Sequence, residues 1–225
     1  DRLLVRLQRF PQVLFLKGLL SPFYRVEAAL KRASPTAKVE EGYAYNGGVF
    51  GAQLDFFPYD YDTLMSYDLV ILGDVGAANL GETALEMLKD YCEHGGNLLV
   101  LGGPFAYGHG NCGNTVLNEI LPVVIQKPFD LRAVEKGTKV VCLRDLVSPG
   151  TAQALRPAYI HEVKAKPGAD VLMTCGAWPM IVMGKCGSGR VACVTATPLG
   201  ESNLCDTPQW QEVLDGVLKE LGLNR

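Results

Sequence analysis

The sequence predicts an α/β fold, a doubly wound and mostly parallel sheet with an antiparallel β insertion in the C-terminal third. Three observations predict it. Short, nearly unbroken apolar runs alternate with helical patterns as far as Leu101, which is what strands buried on both faces require. After Leu121-Pro122-Val123 the pattern changes to closely spaced short strands separated by turn signals. The chain has 225 residues, 48% of them apolar and 20% charged. A globule of that size buries about 70% of the surface its unfolded chain exposes, enough for one core without disulfides or metal.

Gln12-Val13-Leu14-Phe15-Leu16 reads as the first buried strand. Ser21-Pro22 then opens a helix with Ser as cap, and Val26, Ala29, Leu30 and Ala33 form its apolar stripe. Ala37–Glu40 is a weaker strand, followed by a Gly-rich loop, Tyr43–Gly51. Leu69–Leu72 is a strong strand ending at Gly73-Asp74. The helix Gly81–Glu93 stops at Gly95-Gly96, and Asn97–Leu101 runs straight into Gly102-Gly103. The insertion is expected to hold strands at Val123–Gln126, Lys139–Leu143, His161–Lys164, Val171–Thr174 and Met180–Met183. Gly184–Gly189 should form a hairpin turn leading into the last core strand, Arg190–Thr195, and Thr207-Pro208 starts a closing helix. Residues 12–225 read as one domain behind an N-terminal extension, 1–11. The start at Asp1, without Met, raises the expectation of a longer polypeptide.

Composition excludes several classes of function. A formal net charge of −3 offers no basic excess for a phosphate backbone, so nucleic acid is not an expected partner. No apolar run approaches the roughly 20 residues of a membrane span. The seven cysteines are odd in number and form no CxxC pair, which argues against a disulfide framework and a structural zinc site. Several sit inside apolar runs, as in Val140–Leu143 and Val191–Val194, and read as buried reduced thiols of a cytoplasmic protein. No cofactor and no metal is expected.

Ligands of such sheets gather where loops leave the carboxyl ends of the strands. That edge collects Lys17-Gly18, Tyr43–Gly51, Gly73-Asp74, Gly102–Gly113 and Thr195–Ser202. Three segments on the same framework, Tyr67–Gly76, Leu88–Gly103 with Thr115–Val123, and Gly187–Pro198, resemble the class I glutamine amidotransferase-like superfamily. The closer likeness is to an uncharacterised branch lacking the full catalytic set. The resemblance implies a flavodoxin-like sheet.

Glutaminases of that superfamily carry a Gly-x-Cys-x-Gly elbow after this strand and a His-Pro-Glu after the last core strand; the thiolate attacks the amide and the imidazole moves the proton. Here the turn offers Pro104, Phe105, Ala106 and Tyr107, while Thr197 stands at the His position before Pro198, with Glu201 beyond. Both halves of the dyad are missing. The expected function is therefore a non-catalytic ligand-binding or assembly module. Its candidate crevice residues are Asp74, Gly103, Phe105, Tyr107, His109 and Thr197. Its expected partners are a small polar ligand or sugar, a second copy of the chain, or a partner domain.

Two other readings stay open. One is a hydrolase using an unorthodox set from Asp74, Tyr107, His109, Cys112 and Glu201, since Cys112 lies three residues after His109 in the loop beyond the elbow. The other is an accessory or oligomerisation domain of a carbohydrate-active enzyme. For Asp74 the bland alternative is a cap on the following helical turn; for His94, a favourable cation at a helix C-terminus. His161 is expected to face solvent, and the glycines of Gly108–Gly113 to leave that loop free in its backbone. The aromatic run Phe56–Tyr61 reads as a loop packed over the sheet edge, or as a carbohydrate or protein surface.

Overall fold

The computed structural model describes residues 10–47, 51–200 and 204–223. Glu201 and nearly all of the N-terminal extension lie outside them. The strands are β1 (Gln12–Lys17), β2 (Lys38–Asn46), β3 (Ala52–Leu54), β4 (Leu69–Gly73), β5 (Asn97–Leu101), β6 (Val123–Ile125) and β7 (Leu131–Ala133). They continue with β8 (Val140–Cys142), β9 (Tyr159–His161), β10 (Val163–Ala165), β11 (Asp170–Cys175), β12 (Trp178–Cys186) and β13 (Gly189–Val194). The helices are α1 (Val26–Ala33), α2 (Tyr61–Leu64), α3 (Ala77–Glu93), α4 (Val116–Ile120), α5 (Pro149–Ala154) and α6 (Pro208–Glu220).

Nine strands form one mixed sheet in the order β3-β2-β1-β4-β5-β13-β12-β11-β8. Its middle, β2-β1-β4-β5-β13, is parallel, and antiparallel strands extend it at both edges. The four strands predicted as central, β1, β4, β5 and β13, lie side by side. Their alternation divides the core. Val13, Phe15, Ile71, Leu99 and Ala192 join the α1 and α6 residues in one apolar cluster, and Leu14, Leu16, Val70, Leu72 and Cys193 join α3 in the other.

The antiparallel insertion is real but divided. β8, β11 and β12 continue the main sheet, whereas β6 with β10 and β7 with β9 form two separate ribbons. The single strand expected at His161–Lys164 is two, because β9 and β10 find different partners on either side of Glu162. The hairpin forms where expected but with a tighter turn, Gly187-Ser188, since β12 runs on to Cys186 opposite Gly189, with Gly187 at φ 55.

Three local readings are corrected. β2 runs on to Asn46 and pairs with β3, so the first four residues of the expected Gly-rich loop, Tyr43 to Asn46, are strand. Ser21 does not cap a long helix. It opens a 3-10 turn, its hydroxyl donates to Gly18 O (2.8 Å), and a left-handed Arg25 (φ 58) separates that turn from α1. The break lets Tyr24 turn inward, where its hydroxyl donates to the carbonyls of Gly102 (3.0 Å) and Ala196 (2.8 Å). α3 begins at Ala77, before the expected Gly81, which is a non-helical kink (φ 72) inside it. α6 starts as predicted, with Thr207 Oγ1 accepting from Trp210 N (3.2 Å).

Candidate functional site

The carboxyl ends of β1, β4, β5 and β13 bring the predicted loops together, and buried side chains tie them to one another. Asp74 follows β4 in the left-handed region (φ 59) and is fully buried. Its carboxylate accepts from Leu20 N (3.0 Å) after β1 and from Phe105 N (2.7 Å) after β5. It therefore clamps two neighbouring loops instead of capping the turn that follows it; Asn79 caps that turn, its Oδ1 accepting from Gly76 N (3.1 Å). Burial pushes the Asp74 carboxyl up to about 6, against the pull of its two N–H donors. Gly103 packs directly on this carboxylate at φ 151, and a Cβ there would overlap it. Only glycine fits.

A second buried pair holds the other half of the same loop. His161 and Asp130 are both fully buried, and His161 Nδ1 donates to Asp130 Oδ1 (2.8 Å). His161 Nε2 accepts from Gly103 N (3.1 Å), so the imidazole is the neutral Nδ1–H tautomer. Asp130 also accepts from Gly108 N (3.1 Å) and His109 N (3.2 Å). The expectation that His161 faces solvent is thus overturned. β9 is sealed between β7 and a bridge from Ile160 to Ala196, which drives His161 under the elbow. The expectation of a free glycine loop fails with it, since four backbone N–H groups between 103 and 109 end on buried side-chain acceptors.

The other predicted residues take different places around this clamp. Tyr107 is buried, its ring 4.7 Å from that of His161 and its hydroxyl facing the carbonyls of Val100 and Val194 (3.1 Å each). Thr197 is buried against β9, its N–H donating to Tyr159 O (3.1 Å). Phe105 and His109 are half-buried at the crevice mouth. His109 packs against Phe129, with ring centroids 5.3 Å apart, and burial holds its pKa below the usual histidine value. Cys112 is buried, its Sγ directed at Gly110 O (3.6 Å), and burial pushes the thiol up to about 12. A thiol so placed is a poor nucleophile. Cavities of 680, 640 and 370 Å³ lie elsewhere, and none includes any of the six predicted crevice residues.

The other side chains singled out in the sequence take the following places. Cys92, Cys112, Cys175, Cys193 and Cys205 are buried free thiols, while Cys142 and Cys186 are half-buried. In the aromatic run, Phe57 is core and Tyr59 and Tyr61 are exposed. His94 caps the end of α3, with Nδ1 2.8 Å from Asp90 O. Among the described residues no cluster of three metal-ligating side chains occurs, and no helix is long and apolar enough to cross a membrane. Sequence reasoning missed Asp130 and His161. They stand 31 residues apart on a loop and a short strand, and no motif links them.

Residues 37–213 match the model of the family described as "Putative glutamine amidotransferase". The chain belongs to that family. No curated protein matches the sequence. Among solved structures, the glutamine amidotransferase-like chain is similar to Cytoplasmic Protein STM1381 from Salmonella typhimurium LT2, at 20% identity and a TM-score of 0.73. That likeness covers 93% of this chain and 99% of the other. Cytoplasmic Protein STM3548 from Salmonella typhimurium is similar at 19% identity and a TM-score of 0.73, covering 92% and 98% of the two chains. A cold-adapted β-galactosidase from Rahnella sp. R3 is similar at 15% identity and a TM-score of 0.59; here 96% of this chain corresponds to 32% of the larger one. At these identities the likeness concerns the fold.

Proposed function

We propose that this chain is a non-catalytic glutamine amidotransferase-like domain that works as a ligand-binding or assembly module. The observation that carries the reading is the occupied elbow. An amide hydrolase needs free backbone N–H groups beside its nucleophile to hold the oxyanion. Here the N–H groups of Gly103, Phe105, Gly108 and His109 already donate to His161, Asp74 and Asp130. No Cys stands in the turn and no His at position 197. We read the sheet as doubly wound and flavodoxin-like, residues 12–225 as one such domain, and its setting as cytoplasmic, in keeping with its free thiols.

Purified protein incubated with glutamine should release no ammonia above a heat-killed control. Turnover that disappears in Cys112→Ala would overturn the reading and favour a hydrolase built on His109 and Cys112. Against that hydrolase stand the buried thiol and the pairing of His109 with Phe129. Restoring the dyad as Phe105→Cys with Thr197→His should still give no turnover, because the N–H groups remain occupied. The likeness to about a third of a β-galactosidase chain supports a second reading, an accessory or oligomerisation domain of a carbohydrate-active enzyme. Sedimentation of the purified chain as a stable oligomer would favour it.

A further inference from the structure

Inside the crevice little is left for a ligand, since Asp74, Gly103, Tyr107 and Thr197 are buried and bonded within the protein. What the mouth presents outward is a pair of rings. Phe129 is 78% exposed, and its backbone sits at φ 54, in the left-handed region that an aromatic residue rarely enters. Such strain persists only where the surroundings over-determine it, and it collects at functional sites. Here the neighbours supply the constraint. Asp130 is locked into the core by three donors, and the Lys127 carbonyl abuts Gly108, so the chain between them must turn Phe129 into water.

The Phe129 ring meets that of His109 at 78°. Burial favours the neutral imidazole, which offers one N–H donor and one acceptor; neither has a hydrogen-bond partner among the described residues. On the next flank stands Glu162, whose N–H donates to Asp130 O (2.8 Å) and whose carboxylate is paired with Lys127 and with Arg132 (2.5 Å). The platform is thus rigid and apolar on top, with neutral donor and acceptor sites at its edge and charges already paired with one another. A free anion or cation gains little there. A neutral ring with one apolar C–H face and a rim of hydroxyls matches it.

We propose that the Phe129–His109 pair is a binding site for a pyranose sugar, with the ring stacked on Phe129 and its hydroxyls hydrogen-bonded to His109 and the Lys127–Glu162 pair. The proposal rests on the reading of this edge as ligand-binding. The test is a chemical-shift titration of the purified protein with methyl glucoside, methyl galactoside and methyl mannoside, with sorbitol as a polyol that has no ring face. At least one glycoside should shift the His109 and Phe129 ring resonances, and sorbitol should not. Phe129→Gly relieves the backbone strain and should keep or raise the unfolding midpoint while weakening binding at least 10-fold. Phe129→Trp should retain binding, and Tyr61→Ala, an exposed aromatic elsewhere, should leave it unchanged. No shift with any glycoside, an equal response to sorbitol, or wild-type affinity in Phe129→Gly would overturn the proposal. Glutamine turnover is read separately, so absent sugar binding with absent ammonia release sinks this inference alone.

Discussion

Replacing Asp130 with Ala should unlock the loop after β5 and cost about 3–5 kcal/mol of stability. The carboxylate is fully buried and accepts from three donors, the imidazole Nδ1–H of His161 and the backbone N–H groups of Gly108 and His109. Each buried donor left without a partner costs about 1–3 kcal/mol. Relief of the carboxylate's own desolvation, and any water entering the vacated space, offset part of the sum. Three orphaned donors set a gross loss of about 3–9 kcal/mol, and with those offsets the net value should fall in its lower part, about 3–5 kcal/mol. Against a typical total of about 5–15 kcal/mol, the variant should fold but with a much reduced margin. Asp130→Asn keeps one oxygen acceptor and should cost less, about 1–3 kcal/mol. The assay is urea unfolding at pH 7 followed by the fluorescence of Trp178 and Trp210, with amide exchange at Gly108 and His109 as the local readout. A loss below about 1 kcal/mol with unchanged exchange at those two amides would refute the idea that Asp130 holds the elbow.

Gly103→Ala should destabilise by about 3–5 kcal/mol, since it adds backbone strain at φ 151 and displaces the Asp74 carboxylate from its two donors; a urea midpoint near wild type would contradict the packing described. Asp74 sets a pH dependence of defined sign. Its folded pKa, about 6, lies above the unfolded value of about 3.9, so the native state holds the extra proton between those values and stability falls by about 2–3 kcal/mol as pH rises through the window. Asp74→Asn should remove that slope, and equal differences between variant and wild type at pH 4.5 and 6.5 would sink the assignment. Cys112, with its thiol buried and pushed up to about 12, should resist alkylation in the native protein at pH 7.5 and react only on unfolding; rapid native labelling, read by mass spectrometry, would count against it.

Much of the fold is decided by local pattern. The apolar runs at Val13–Leu16, Leu69–Leu72, Leu98–Leu101 and Val191–Val194 have no solvent-compatible face, so each must be a strand covered on both sides, and they are the adjacent parallel strands β1, β4, β5 and β13. Gly187 supplies the positive φ its hairpin needs, and Thr207-Pro208 supplies the cap and first turn of α6. The absence of a Cys from the turn after β5 is equally local, because the residues of that turn are read directly from the sequence.

The site's polar wiring was decided only in three dimensions. Asp74 looks like an ordinary post-strand cap, yet its acceptors serve Leu20, 54 residues earlier, and Phe105, 31 residues later. His161 occupies a three-residue strand whose alternation is too short to declare a buried face. Its burial depends on β7 on one side and on the bridge to Ala196 on the other. The same holds for the glycine loop. Composition alone leaves such a backbone free, and it is rigid here because Asp130, His161 and Asp74 arrive from three distant places to accept its N–H groups. Periodicity reports which face of an element avoids water. Which buried acceptor meets which donor depends on the register and order of the assembled strands, and no short stretch of sequence contains that information.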